Sequence, residues 1–252
     1  MDRLDAAVIV LPGVEVRVLE RCSSTNEVLL KAISEKPVLL AAEEQTAGRG
    51  RRGRRWHSAP GAGATFSLGR RIRRPVRELA ALCLVAGVAA TRALRALGVP
   101  QAALKWPNDI VVDGAKLGGI LVETRTQGAQ VHAVIGIGIN CRRTQSLERR
   151  LRRRVAFLDE FVSVPRNQVI QEIALAMLEA LQAFEAHGLD GVRAEWEAMD
   201  AHAGQKLRVR LADGRTLSGI ASGLEDDGAL RLRTRQGVRA IASGRVISAR
   251  AA

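Results

Sequence analysis

The sequence reads Gly48-Arg49-Gly50-Arg51-Arg52-Gly53 and then Arg54-Arg55-Trp56 at the point that best indicates its fold and chemistry. Glycines allow sharp turns and a close approach of backbone to a ligand. Arginines bind phosphate and carboxylate with a planar fork of donors, and a Trp offers a flat face to a ring. The pattern therefore predicts a loop that wraps the phosphates of a nucleotide and stacks against its base.

The same glycines have the spacing G-x-G-x-x-G of dinucleotide-binding folds. That motif requires a helix that opens at the third glycine and an acidic residue about 20 positions later. Here Pro60-Gly61 interrupts any helix. The later positions hold Arg70, Arg71, Arg73 and Arg74 instead of an acid. We therefore reject a Rossmann fold and expect a flexible cationic lid over a reactive phosphate.

The composition describes a folded protein of one large domain, or of a larger and a smaller one. The chain has 252 residues, 47% of them hydrophobic, and a net charge of +13. Cys22, Cys83 and Cys141 are widely spaced, which favours a reducing compartment. Asp2 and Asp5 precede no long apolar run, and no stretch of about 18 uncharged apolar residues occurs. We expect a cytoplasmic protein without signal peptide or transmembrane helix.

Hydrophobic periodicity predicts an α+β arrangement followed by an all-β segment. The Asp113-Gly114 pair indicates a hairpin turn. From Gly204 onward, turn residues separate short strands at the spacing of a small barrel of about 45 residues. We therefore divide the chain into domains 1–203 and 204–252. The expected strands lie near residues 14–20, 38–43, 64–68, 103–106, 109–112, 116–124 and 131–140, and the expected helices near 23–35, 76–97, 165–187 and 189–199.

Three further motifs carry polar residues into apolar surroundings. Lys105-Trp106-Pro107-Asn108-Asp109 is either a polar turn or a cluster of binding groups at a strand end. The lysine of Lys116-Leu117-Gly118-Gly119-Ile120-Leu121-Val122-Glu123 is either an edge-strand charge or a site cation. The glycines of Gly136-Ile137-Gly138-Ile139-Asn140 indicate close approach of a ligand or another backbone. Residues 142–154 contain seven arginines and one acid, and we expect a solvated face there.

Taken in order, these motifs resemble those of biotin–protein ligases. The resemblance begins at Ser24-Thr25-Asn26, passes through Gln45 and the Gly/Arg loop, and extends to Gly228-Ala229-Leu230 and Ser243-Gly244. It implies a catalytic domain with a mixed β-sheet and helices on one face, similar to class II synthetases, plus a C-terminal SH3-like β-barrel. It also implies two steps, in which ATP activates biotin as biotinyl-5′-AMP and a Lys of a biotin carboxyl carrier domain accepts the biotinyl group.

The resemblance also assigns roles to individual residues. The implied catalytic residues are Lys116, Arg51 and Lys105, and Asp109 is the implied neighbour of Mg²⁺. The implied ATP-binding residues are Arg51, Arg54, Trp56, Lys105, Asn108, Lys116 and Asn140. The implied biotin-binding residues are Ser24, Thr25, Asn26, Gln45, Gly48, Arg49, Gly50, Gly118, Gly119, Gly136 and Gly138. Ser24 and Thr25 could also cap a helix, and we expect Trp106 and Trp196 in the core.

Three positions depart from the pattern of the family. Ser23 replaces an acid that often precedes Ser-Thr-Asn, and Gly63-Ala64-Thr65 replaces Gly-Asn-Leu. Arg245 replaces the glutamate of Ser-Gly-Glu-Val, which puts any role of that glutamate in doubt. The first expected strand begins near residue 14 and leaves no room for the N-terminal DNA-binding domain of some members. We therefore expect a monofunctional ligase.

Two other functions compete with this interpretation. A lipoate or octanoate ligase would share a related fold, but the Gly/Arg loop and the motifs of Lys105 and Lys116 argue against it. A nucleic-acid-binding protein would explain the charge but none of the ordered motifs, and aromatic residues make up only 3% of the chain. We expect no membrane association and no sequence-specific DNA binding. Whether the protein is a monomer or a homodimer stays open.

Overall fold

The computed structural model describes residues 2–57, 59–128, 130–144 and 154–251. Residues 145–153 of the Arg-rich segment therefore lie outside the described part. The helices are α1 (Thr25–Lys31), α2 (Leu82–Ala96), α3 (Arg166–His187) and α4 (Asp190–Ala198). The first seven strands are β1 (Glu15–Cys22), β2 (Val38–Gln45), β3 (Gly63–Ile72), β4 (Ala103–Lys105), β5 (Asp109–Val112), β6 (Ala115–Gln127) and β7 (Gln130–Asn140). The last five are β8 (Lys206–Leu211), β9 (Thr216–Leu224), β10 (Leu230–Thr234), β11 (Gly237–Ile241) and β12 (Gly244–Arg250).

The first seven strands form one mixed sheet in the order β1-β2-β3-β7-β6-β5-β4. β1 pairs with β2 in parallel, and the other described pairs of this sheet are antiparallel. Asp113 and Gly114 connect β5 to β6 with φ values of 50° and 74°, as a turn that follows the strand twist requires. The predicted mixed sheet and its hairpin are therefore confirmed.

The two long helices α2 and α3 cover one face of this sheet. Phe66 and Leu68 of β3 point into the core that these helices close. An added Cβ at Gly87 of α2 would lie 3.1 Å from Leu104, so this helix packs closely on the sheet. The short helix α1 lies on the opposite face, where Leu29 packs on Val38, as part of a separate small cluster. The predicted fold class is confirmed, with α1 as an addition on the second face.

The predicted helix over residues 76–97 begins as a 3₁₀-helix (Val76–Ala81) and continues as α2. By length and composition, Val76–Ala96 is apolar enough to cross a membrane, with a mean hydropathy of 1.6. However, 72% of the tested window is buried inside the protein. Gly98 follows the helix with a φ of 107°, which Gly adopts without strain. The segment therefore packs as a core helix against the sheet and α3.

The last five strands form an antiparallel sheet in the order β11-β10-β9-β8-β12. Leu207 and Val209 are buried, and they alternate with exposed basic side chains along β8. The predicted all-β C-terminal unit is confirmed. The described pairing runs from β11 to β12 without closing on itself, so the structure shows a sheet where the sequence predicted a barrel.

Side chains tie the C-terminal sheet to the larger one. The indole Nε1 of Trp106 donates to the carbonyl of Gly228 over 3.2 Å. Glu197 of α4 accepts a hydrogen bond from the amide of Leu224 at 3.1 Å. Because Trp106 belongs to the motif that ends β4, these contacts set the C-terminal sheet beside the predicted site. The domain boundary between residues 203 and 204 stays a prediction.

Candidate active site

A cleft of about 320 Å³ opens on the α1 face of the large sheet and reaches the C-terminal sheet at residues 244–247. Most of the predicted site residues line it together. They are Ser24, Thr25, Asn26, Gln45, Arg49, Gly50, Arg51, Arg54, Trp56, Lys105, Asn108, Asp109, Lys116, Gly119, Gly136 and Gly138. Gly48, Gly118 and Asn140 lie outside this lining. Sequence motifs separated by more than 100 residues therefore meet in one cleft.

One end of the cleft is a buried cluster of hydroxyl and amide groups. The backbone N–H and the hydroxyl of Thr25 both donate to Oε1 of Gln45, at 2.7 and 3.2 Å. The hydroxyl of Ser67 lies 2.6 Å from that of Thr25. Ser24 stands at the N-cap position of α1 but makes no side-chain capping bond. Its hydroxyl is therefore not used by the helix and faces the cleft.

Asn26 anchors this cluster to the sheet. Its Oδ1 lies 2.6 Å from the Ser67 hydroxyl, and its Nδ2 donates to the Leu121 carbonyl at 3.2 Å and to Glu123 at 3.0 Å. A Cβ at Gly136 would lie 2.2 Å from Asn26 Oδ1. Only glycine at this position therefore leaves space for the Asn26 side chain.

The Gly/Arg loop folds back on itself at the rim of the cleft. The amide of Trp56 donates to the Gly48 carbonyl at 2.9 Å, and the amide of Gly50 donates to the Arg54 carbonyl at 2.7 Å. An added Cβ at Gly48 would lie 2.6 Å from the Trp56 carbonyl oxygen. Gly48 therefore permits the close approach that closes the loop, and it faces Trp56 rather than the cleft.

Two arginines fasten the loop to neighbouring elements. Arg49 forms an ion pair of 2.6 Å with Glu123, which also binds Asn26. Arg52, whose φ is 57°, donates to the Ser243 hydroxyl at 2.9 Å in the turn before β12. The loop is thus held at one point by the large sheet and at another by the C-terminal sheet.

Trp56 lies flat on the middle of the cleft floor. An added Cβ at Gly138 would come within 2.4 Å of its indole, and one at Gly119 within 3.3 Å. The Lys116 ammonium lies 5.7 Å from the centroid of the indole and forms an ion pair with Asp109. The indole Nε1 is buried and has no hydrogen-bond partner among the described residues. The cleft thus brings a cation, a carboxylate and an aromatic face into contact.

Residues 18–140 of this sequence match the Biotin/lipoate A/B protein ligase family, and residues 202–247 match the Biotin protein ligase C terminal domain. The biotin–[acetyl-CoA-carboxylase] ligase of Mycobacterium tuberculosis is 34% identical, over 94% of this chain and 90% of that protein. The chain belongs to the biotin protein ligase family. The bifunctional ligase/repressor BirA of Escherichia coli is 35% identical, over 88% of this chain and 70% of that protein.

A solved structure of a biotin protein ligase from Aquifex aeolicus, in complex with biotin and ATP, has a similar fold. Its TM-score is 0.79 at 26% identity, over 94% of this chain and 99% of that one. The predicted family and the predicted enzyme class, a ligase, are therefore confirmed. The relative that spans 94% of this chain is named for biotin.

Three residues of the biotin protein ligase motifs contribute to structure around the cleft. Asn140 donates to the carbonyls of Lys116 and Ala156, at 3.2 and 3.3 Å, and so ties β7 to the strand that carries the lysine. Asn108 donates to the Ile120 carbonyl at 2.9 Å. An added Cβ at Gly118 would lie 2.7 Å from Ile139. Gly118 therefore points away from the cleft, as alternation along β6 requires.

The cleft of this biotin protein ligase is strongly cationic. Among the described residues, its lining includes two lysines, seven arginines and a single carboxylate, that of Asp109. Burial lowers the pKa of the His202 imidazole to about 4, and the nearby positive charge of Lys105 contributes to this shift. Burial raises the pKa of the Cys83 thiol to about 12 although the charge of Arg51 opposes it. Such a field attracts anionic substrates, and the thiol stays protonated and inert.

The sequence motifs missed two residues that organise the site. Ser67 bridges Thr25 and Asn26, and Glu123 joins Asn26 to Arg49. Glu123 follows the apolar run 117–122, so its carboxylate could have been predicted to pair with a cation of the site. Ser67 gave no such signal, because a serine within a strand is common. Trp106 and Trp196 are buried at 3% and 1% exposure, as predicted.

The departures from the family pattern have separate structural outcomes. Ser23, which replaces the acid before the Ser-Thr-Asn motif, donates to Glu27 of α1 at 2.9 Å. Thr65 and Arg245 both line the cleft. The positive charge of Arg245 therefore stands where the family pattern places a negative one.

Proposed function

We propose that this ligase activates biotin with ATP and transfers the biotinyl group to a lysine of a biotin carboxyl carrier domain. In the first step a biotin carboxylate oxygen attacks the α-phosphorus, the bond to the β-phosphate oxygen breaks, and pyrophosphate leaves. In the second step the lysine amine attacks the carbonyl of the mixed anhydride, AMP leaves, and the nitrogen loses a proton to solvent. The observation that carries the proposal is one cleft with a hydrogen-bonding end, an aromatic floor and a cationic middle.

The buried cluster at α1 suits the ureido ring of biotin. Ser24, Thr25 and Gln45 offer hydroxyl and amide groups that can exchange their mutual bonds for bonds to a ring with N–H and C=O groups. A ring without those groups would leave buried polar atoms unpaired, which supplies selectivity. Gly136 provides the floor beside this cluster, and Arg49 the cation at its mouth.

Lys116 is positioned to stabilise the charge that develops in adenylation. Its ammonium is paired with Asp109 and held against Trp56. When the biotin carboxylate and the α-phosphate enter, their combined negative charge competes for this ammonium. Arg51 and Lys105 line the same cleft and reduce the repulsion between the two anions. No enzyme nucleophile is needed, because the residues align the reactants and exclude water.

We assign Trp56 to the adenine of ATP and Arg54 to its phosphates. The buried indole N–H finds no partner in the described part of the chain, which supports this assignment, because an unsatisfied buried donor is costly and a bound nucleotide can accept its hydrogen bond. We also assign Asn108 to the nucleotide end of the cleft, where its amide is held by the Ile120 carbonyl. We assign to Asn140 and Gly118 a role in packing the strands beneath the nucleotide, because both residues lie beneath the cleft floor.

We propose that Mg²⁺ arrives with ATP as part of the substrate. Among the described residues, no group of three His, Cys, Asp or Glu side chains could hold a metal ion. Asp109 is the one carboxylate that the described residues contribute to the cleft lining, and it already pairs with Lys116. A Mg²⁺ ion held by phosphates and water needs few protein oxygens, so Asp109 would be its neighbour rather than the centre of a protein site.

We further propose a cytoplasmic enzyme whose macromolecular partner is the carrier domain. Cys22, Cys83 and Cys141 form no disulfide, which suits a reducing compartment. A homodimer remains an alternative to a monomer, and analytical ultracentrifugation with and without biotin and ATP would decide between them. The ordered ligase motifs explain the sequence, so we propose no function in sequence-specific DNA recognition.

The deciding experiment is ATP–pyrophosphate exchange by the purified protein with Mg²⁺. Four parallel reactions contain no acid, biotin, lipoate or octanoate. Exchange that depends on biotin alone is the expected result. Exchange with lipoate or octanoate instead would move the protein to the related acyl ligases. No exchange with any acid, by protein shown to be folded, would refute adenylation.

A further inference from the structure

One face of the C-terminal sheet carries six exposed cations that form no ion pair with a described acid, and it is called the basic face here. Its members are Lys206, Arg208, Arg210, Arg233, Arg245 and Arg250. The strand register places them on one side, because Arg245 lies opposite Arg210 and Arg250 opposite Lys206. None of the ion pairs in the described part of the chain involves these six side chains. The four acids between residues 206 and 250 all lie between strands, and one of them, Glu225, pairs with Arg231 of β10 at 3.6 Å.

The arrangement is unfavourable for the free protein. Like charges directly opposite each other on neighbouring strands repel and destabilise a sheet. Two such pairs occur here, Arg245 with Arg210 and Arg250 with Lys206. An ordinary solvated face mixes both signs of charge. An anionic partner would remove the repulsion and gain from all six cations at once.

The basic face begins at the active-site cleft. Arg245 belongs both to the basic face and to the cleft lining. From the row of Arg210, the cations continue along β8 to Lys206, a distance of about 13 Å at the usual rise per residue. A partner on this face therefore has one edge at the cleft, where the mixed anhydride forms.

We infer that the basic face is the docking surface for an acidic face of the carrier domain. The inference rests on the proposed function, because the carrier must bring its lysine amine to the cleft. Nucleic acid is the other anionic partner of a basic sheet. Residues 204–251 contain no Trp, Tyr or Phe, so the C-terminal sheet offers no aromatic side chain on which bases could stack.

The test uses the double variant Arg208→Glu with Arg210→Glu, since neither residue lines the cleft. The matched control is Arg235→Glu with Arg239→Glu, which makes the same charge change in the turn after β10 and on the edge strand β11, where Arg239 pairs with buried Leu232. Three activities are measured: biotin-dependent pyrophosphate exchange, formation of biotinyl hydroxamate from hydroxylamine, and biotinyl transfer to a purified biotin carboxyl carrier domain of net negative charge. The first two need no docking.

In the Arg208/Arg210 variant, the KM for the carrier domain should rise at least about tenfold at low salt, because electrostatic steering is lost. Its exchange and hydroxamate rates should match the wild type, and the control should match it in all three assays. Added salt should raise the wild-type KM toward that of the variant. A carrier variant with an acid beside the target lysine changed to Lys should recover part of the lost rate.

An unchanged KM for the carrier domain, or an equal rise in the control, would overturn the inference. So would tight binding of a short DNA duplex at physiological salt that the Arg208/Arg210 variant alone loses while carrier transfer stays normal. Failure of the proposed function is distinguishable, because it would appear as wild-type protein without biotin-dependent exchange, an assay in which the carrier takes no part.

Discussion

Replacing Gly136 by alanine tests whether the Asn26 cluster both stabilises the fold and binds biotin. The new methyl group would lie 2.2 Å from Asn26 Oδ1, so the amide must move by about 1.2 Å to reach an ordinary contact of 3.4 Å. The 2.6 Å contact with Ser67 then stretches beyond hydrogen-bonding distance. A strained buried contact plus one lost bond costs about 2–3 kcal/mol, which lowers Tm by roughly 5–10 °C in a chain of this size.

The matched control is Gly69→Ala on the same sheet face, where an added Cβ meets Leu29 at an ordinary 3.4 Å. Urea unfolding measures the stability, and pyrophosphate exchange gives KM for biotin and for ATP. The Gly136 variant should show a rise of roughly tenfold in the biotin KM, as one lost hydrogen bond predicts, with the ATP KM nearly unchanged. Equal stability and equal biotin KM in the two variants would refute the assignment of this cluster.

Two further predictions concern charged groups. Lys116→Ala should lower the adenylation rate by about 10²-fold or more, while calorimetry still detects biotin binding. The control is Lys31→Ala, which removes an exposed lysine. Near-normal adenylation by the Lys116 variant would remove Lys116 from the mechanism. Burial raises the pKa of Asp200 from 3.8 to about 6, against a hydrogen bond from His202, so the folded state binds the proton more tightly and stability falls as pH rises through this window. Asp200→Asn should therefore be more stable than the wild type at pH 8, by up to about 3 kcal/mol, and equally stable near pH 4. Urea unfolding that gives the same difference in unfolding free energy between the two proteins at every pH would contradict this.

The sequence predicted the structure best where a turn or a helix start depends on residues adjacent in the chain. The Asp113-Gly114 turn follows from two residues that tolerate positive φ, and Pro165 correctly marks the start of α3. The helix expected over 23–35 ends at Lys31, because its apolar positions supply only the small cluster around Leu29. Local signals therefore gave the order of elements better than their lengths.

The orientation of residues within the site depends on pairing between distant strands. Gly118 and Gly119 are adjacent in one motif, yet the first faces the core and the second the cleft. Their assignment requires the register of β6 against β7, which a single sequence does not contain. Ser67 was missed for the same reason, because its partners lie 41 and 42 residues earlier in the chain.

The C-terminal sheet belongs to the active site in a physical sense. Trp106, three residues from Asp109, is held by the Gly228 carbonyl, and Arg52 of the Gly/Arg loop is held by Ser243. The same sheet contributes Arg245 to the cleft wall. A displacement of this sheet would therefore disturb the loop over the nucleotide, the strand end beside Lys116 and the docking surface together. Because one sheet contacts all three, adenylation and the proposed carrier docking depend on the same packing.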